Sequence, residues 1–151
     1  MALIHHLNNG CCEKCTQIFD RYPNFHPGLR AWFVQLQKMH PEAHISWAGR
    51  GKEDQERFCD LGKSNAHYGQ SAHNFNAAID LFKLTQLGAD FDRYWFRDIV
   101  GVAVINYNAD PGKELTLEWY GMPHAKYFEL PHIEDHDWKA LQRAGKLKLV
   151  E

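Results

Sequence analysis

Ten residues, Ser71-Ala72-His73-Asn74-Phe75-Asn76-Ala77-Ala78-Ile79-Asp80, read together with Glu129-Leu130-Pro131-His132, constrain this chain more than any other stretch. They supply two imidazoles, one carboxylate able to share a metal with them, and one spare carboxylate. A catalytic zinc site needs three protein ligands, an open position for water and a base beside it. The spacing also sets a folding condition. His73 falls in a loop rich in Gly, Ser and Asn over 62–76, and Asp80 on a strand expected over 77–84. A loop that doubles back onto its strand brings both side chains to one point, which a continuous helix or strand does not easily do. His132, from a separate segment, closes the third vertex. Glu129, three residues earlier, can reach a water without being a ligand. Spacing alone leaves the ligand set open. The chain has ten histidines, so His67, His124 and His136 compete, and each of these residues taken singly reads as an ordinary surface, cap or core residue.

A chain of 151 residues points to a single domain that buries about 68–70% of its unfolded surface. Apolar residues at 44% and charged residues at 24% place it among ordinary globular proteins. A formal charge of -2 gives no basic footprint for nucleic acid or an acidic membrane. No apolar run approaches the ~20 residues of a membrane span, so no membrane insertion is expected. The N-terminus lacks a basic region followed by an apolar core. The expectation is therefore a monomer without a signal peptide, cytoplasmic when synthesised.

Of the four cysteines, Cys12 and Cys15 form one C-x-x-C with no second pair to match it. His5, His6 or His26 would complete a structural zinc site, and a redox pair is the other sharp reading. Reduced cysteines in an N-terminal segment are the plainer expectation. Cys59, among helical apolar positions, reads as a small core residue.

Residues 1–27 read as an irregular N-terminal lead, with 28–151 as the functional domain. Leu29, Trp32, Phe33, Leu36 and Met39 share one helical face, and Pro41 stops that helix. His44 to Ala48 reads as a short strand. Lys52 to Leu61 reads as a helix with Phe58 and Leu61 inward and Gly62 as its stop. On the strand over 77–84, Ala77, Ile79 and Leu81 share one face, and Ala78, Asp80 and Phe82 the other. Phe91 to Asn106 is expected to be helical, with Trp95, Ile99, Val102 and Ile105 or Asn106 along one stripe. Leu115, Leu117 and Trp119 mark a half-buried strand. Tyr127 to Ile133 reads as an extended segment interrupted by Pro131. Asp135 to Arg143 reads as a closing helix ended by Gly145. The class is α+β: helices around a small, mainly antiparallel sheet.

The wider pattern resembles the M15 zinc peptidases. Ser71-x-His73, a six-residue gap, Asp80, and later Glu129-x-x-His132 is similar to that family's motif. Gly49-Arg50, Gln55 and Leu61-Gly62-Lys63-Ser64 resemble its lead-in, Glu118-Trp119-Tyr120-Gly121 its Trp-Gly segment, and Trp138 with Leu141 its closing helix. The resemblance runs, in order, over about residues 28–145. Two positions depart from it. Asn76 stands where the family usually has Gly, and Asn is the residue next best able to take positive φ. Glu129 and Ile133 stand where the family often has Asp and an aromatic residue.

The resemblance implies a Hedgehog/DD-peptidase-like fold and a Zn2+ held by His73, Asp80 and His132. Glu129 would be the general base. Arg50 would stabilise the developing oxyanion or hold a substrate carboxylate. Gln55 and Ser71 would bind substrate or orient the ligands, with loop capping the plain reading for Ser71. The implied partner is a peptidoglycan stem peptide, the implied activity cell-wall hydrolysis. A phage-type L-alanyl-D-glutamate endopeptidase, an endolysin reaching the wall through a holin-opened membrane, is the preferred subtype. A D-Ala-D-Ala carboxypeptidase or a non-catalytic zinc-containing wall-binding module is the alternative.

Overall fold

Alternating apolar residues on one strand organise the molecule. In the computed structural model, which describes residues 7–8, 11–123, 125 and 128–151, β4 (Ala78–Thr85) runs through the middle of an antiparallel sheet. Strand β3 (Ala43–Trp47) lines one of its edges. Its other edge is shared by β7 (His132–Asp135), opposite Ala78–Asp80, and by β5 (Gly88–Asp90), opposite Lys83–Thr85. Strand β6 (Leu117–Trp119) extends the sheet beyond β7, giving the order β3-β4-β7-β6. The period of two puts Ile79 and Leu81 on one face, both 0% exposed, while Asp80 points the other way.

That apolar face, joined by Ile45, Leu117, Trp119 and Ile133, packs against helices to make the main core. Helix α2 (Pro27–Met39) brings Leu29, Trp32, Phe33 and Leu36, as its periodicity requires. A smaller cluster on the opposite side holds Phe75, Ala77 and Ala78 against Trp138 of α6 (Trp138–Arg143). The α+β architecture is the expected one.

Several local expectations give way. The N-terminal lead is not irregular: β1 (Leu7–Asn8) pairs with β2 (Cys11–Cys12), and α1 (Glu13–Asp20) follows at once. Cys15 and Phe19 of α1 sit in the main core, and that packing holds a helix too short to be stable alone. Helix α3 (Lys52–Asp60) turns Gln55 inward instead of Leu61, which is 60% exposed. Cys59 stays outside the core and its thiol donates to Ala66 O at 2.7 Å.

Helix over 93–109 departs furthest. It starts as α4 (Arg93–Trp95), widens into a π segment over Phe96–Gly101, and ends as α5 (Val102–Ala109). A π turn inserts an extra residue and rotates everything after it. Phe96, Val100 and Val104 therefore face the core, while Val102 and Ile105 of the expected stripe are 47% and 56% exposed. The closing strand begins only after Pro131 and runs to Asp135, so the last helix starts at Trp138 rather than Asp135. His5, His6, His124 and Tyr127, named above, lie outside the described residues.

Candidate metal centre

Antiparallel pairing of β4 with β7 sets Asp80 directly opposite His132. Cross-strand partners on one face stand about 4.5–5.5 Å apart at Cβ, so this register alone makes the two side chains neighbours. His73 arrives from a turn of 3-10 helix, Ala72–Phe75, that precedes β4. Ser71 caps that turn: its Oγ accepts from His73 N at 3.3 Å. Asn76 ends it at φ 59, the left-handed conformation expected of the residue in the Gly position. One left-handed residue folds the loop back, so His73 and Asp80 meet across seven residues.

Three polar atoms converge. His73 Nε2 and His132 Nδ1 each lie 3.2 Å from Asp80 Oδ1. A tetrahedral ion with bonds of ~2.0–2.1 Å to N and O places such donors about 3.3 Å apart, so the spacing fits a metal. The remote nitrogens fix the tautomers. His73 Nδ1 lies 2.8 Å from Ala48 O, and His132 Nε2 lies 2.7 Å from Glu134 Oε1. Each partner is an acceptor, so each remote nitrogen carries the proton and the inward nitrogens offer lone pairs. In that tautomer two lone pairs and a carboxylate face one another, a donor set that can hold a cation. The same cluster is strongly coupled electrostatically. Burial opposes charge on His132, but hydrogen bonds to Asp80 and Glu134 outweigh it and lift its pKa to about 10. Burial likewise favours neutral Asp80, yet the charge of His73 and the His132 hydrogen bond hold it well below the usual carboxylate range.

Glu129 stands at the open rim. Its carboxylate is 58% exposed and 3.7 Å from His132 Nδ1. The turn from Glu129 to His132 is pinned by Glu129 N donating to Tyr120 O at 3.0 Å and by Trp119 Nε1 donating to Leu130 O at 2.7 Å. Gly121 permits this: a Cβ there would stand 2.1 Å from the Trp119 ring. Tyr120 stacks on His132 with ring centres 4.9 Å apart and planes 19° from parallel.

Arg50 and Gln55 sit behind the ligands rather than in front of them. The Arg50 guanidinium is 8% exposed, 3.4 Å from Asp80 Oδ2 and 4.5 Å over the Phe58 ring. The guanidinium thus pairs with the outer oxygen of the Asp80 carboxylate. Gln55 is fully buried and cannot meet a substrate. Its Nε2 donates to Ser64 Oγ and Ala66 O, at 3.1 and 2.6 Å, and its Oε1 accepts from Asn74 Nδ2 at 3.2 Å. Asn74 also donates to Arg50 O at 2.9 Å and its Oδ1 accepts from Gly69 N and Ser71 N. The loop that carries His73 is thus tied to α3 by side chains. It is tied to the chain's last residues as well: Val150 N donates to Asn74 O at 2.7 Å, Tyr68 Oη to Val150 O at 2.5 Å and Asn76 Nδ2 to Lys148 O at 3.2 Å.

His67 and His136, competitors on spacing alone, are surface residues paired with Glu56 and Glu118 at 2.9 and 3.1 Å. Two contributors escaped the sequence reading. Glu134 alternates with His132 on the same strand face, which is a legible signal. The Ala48 carbonyl is backbone and leaves none.

No protein-family model matches the chain, and neither does any curated protein. Among solved structures it resembles an L-Ala D-Glu endopeptidase of Serratia marcescens, with a TM-score of 0.64 at 16% identity over 83% of this chain and 91% of that one. The likeness is one of fold.

Proposed function

We propose that the protein is a zinc peptidase of the M15 type that cuts peptidoglycan stem peptides, at the bond between L-Ala and D-Glu. One observation carries the reading: two imidazole lone pairs and Asp80 Oδ1 converge at metal-ligand spacing, with a solvent-facing carboxylate at their rim. The fold likeness to a protein titled an L-Ala D-Glu endopeptidase, and the ordered motif around the site, support the substrate class.

His73, Asp80 and His132 would hold the ion. A zinc ion, when bound, lowers the pKa of water to about 7 and polarises a carbonyl. Glu129 takes the proton of the attacking water and hands it to the leaving amine. Its exposure leaves it within reach of substrate. Arg50 and Glu134 are positioning residues, the first fixing Asp80 and the second fixing the tautomer of His132. Tyr120 walls the same side, and burial followed by the charge of Glu134 raises its pKa, so its hydroxyl keeps its proton.

The test is digestion of purified peptidoglycan by wild type and Glu129→Gln, with bound metal measured in both. Loss of the base lowers the rate by about 10²–10⁴ while metal content stays level. New glutamate amino termini mark the L-Ala–D-Glu cut, whereas free D-alanine marks a D-Ala-D-Ala carboxypeptidase. Equal rates in both proteins remove Glu129 from its role. A zinc-loaded wild type that digests nothing makes the chain a binding module.

A further inference from the structure

A second set of soft ligands lies away from this site, at the junction of the N-terminal ribbon with the sheet. Cys12 ends β2 and caps α1, and Cys15 sits one turn into that helix. His44, from β3, completes the group, at 4% exposure. The two sulfurs lie 3.7 and 3.6 Å from His44 Nδ1. A tetrahedral zinc with bonds of ~2.3 Å to sulfur and ~2.0–2.1 Å to nitrogen requires a sulfur–nitrogen separation of about 3.6 Å.

The surroundings are those of bound thiolates. Gln37, fully buried, directs its Nε2 at both sulfurs, 3.5 Å from Cys12 and 3.7 Å from Cys15. The same amide is locked by donating to Ala43 O at 2.7 Å and by accepting from Cys12 N at 2.6 Å. Cys15 N donates to Cys12 Sγ at 3.5 Å. An N–H donor aimed at sulfur stabilises the thiolate that a metal needs. Cys11 is 2% exposed and hydrogen-bonded through its side chain to Cys12 and Cys15. His26, the histidine that spacing offered, is committed elsewhere: Nε2 donates to Asp135 Oδ2 at 2.9 Å, and Nδ1 accepts from Gly28 N and Leu29 N.

We propose that Cys12, Cys15 and His44 form a second, structural metal site of zinc type that clamps the N-terminal ribbon and α1 to β3. A dithiol redox pair has the same C-x-x-C spacing, but exchange with a partner requires a sulfur that the partner can reach. Cys12 and Cys15 are 3% and 1% exposed. Burial suits a closed structural ion, which needs no open position.

The experiment counts metal in the full chain, purified under reductant without chelator, by inductively coupled plasma mass spectrometry. The double variant His73→Ala/His132→Ala empties the other site and should keep about one ion per chain. Adding Cys12→Ser/Cys15→Ser to it should remove that ion. In the same background, His44→Cys should retain the ion and His44→Ala should lose it. If the serine variant does not fold, cobalt titration of His73→Ala/His132→Ala decides. A thiolate-to-cobalt charge-transfer band is expected near one equivalent. No retained ion and no such band in that variant overturn the proposal, as does an ion that persists after both cysteines are replaced in folded protein.

Discussion

Removing the Glu134 carboxylate should weaken metal binding while every ligand stays in place. Glu134 Oε1 is 2.7 Å from His132 Nε2, and both side chains are 7% exposed. That contact is a shielded, charge-assisted hydrogen bond, worth about 1.5–3 kcal/mol. It does two jobs: it selects the tautomer with its lone pair on Nδ1, and it raises the basicity of that lone pair. Loss of such a partner lowers metal affinity by about 10–100-fold, which is ~1.4–2.7 kcal/mol, in agreement with the hydrogen-bond value. Glu134→Gln keeps the shape and removes the charge, so it should sit at the low end. Glu134→Ala strands a buried N–H and should sit at the high end. Competition against a chromophoric chelator measures both, with Asp80→Ala as the variant that lacks a ligand. Unchanged affinity in both Glu134 variants, alongside a large loss in Asp80→Ala, would show that His132 needs no partner to bind the ion.

Two further predictions concern stability. Asn76→Ala places a β-carbon residue at φ 59 and deletes the Nδ2 bond to Lys148 O, for a loss of about 2 kcal/mol. Asn76→Gly loses the bond but meets no left-handed penalty. Urea titration should rank wild type above Gly and Gly above Ala, and the reverse order of the two variants refutes the backbone argument. Asp135 is 2% exposed and its pKa is lowered: burial pushes it up, but the His26 hydrogen bond prevails. A depressed folded pKa gives stability that is complete above the unfolded value of ~3.9 and lost as pH falls through the folded one. Asp135→Asn should therefore cost about 1–2 kcal/mol at pH 7, roughly 2–8 °C in Tm, and progressively less in acid. A cost that is flat between neutral and acidic pH would contradict this.

How much of this was legible depended on whether the signal was local. Strand β4 was readable because alternation of Ile79 and Leu81 with Asp80 is a property of consecutive residues. Asn76 was readable because few residues tolerate positive φ. The π segment was not: its pattern presupposes 3.6 residues per turn, and an extra residue moved Val104 into the core and Val102 out of it. Helix α1 owes its existence to Cys15 and Phe19 finding a core built by later residues. Arg50 and Gln55 were recognisable as residue types in a pattern. Their side of the metal site was not, since it depends on how α3 packs behind the loop. His44 offered no local hint that it would meet Cys12 and Cys15.

The ties from residues 148 and 150 to the His73 loop bear on synthesis at the ribosome. Asn74, Asn76 and Tyr68 lack these partners until some seventy further residues have been made and have cleared the exit tunnel. Strand β7, carrying His132, also emerges late. A nascent chain therefore cannot bring His73, Asp80 and His132 together until β7 has emerged, so this cluster assembles late relative to the β3–β4 pair.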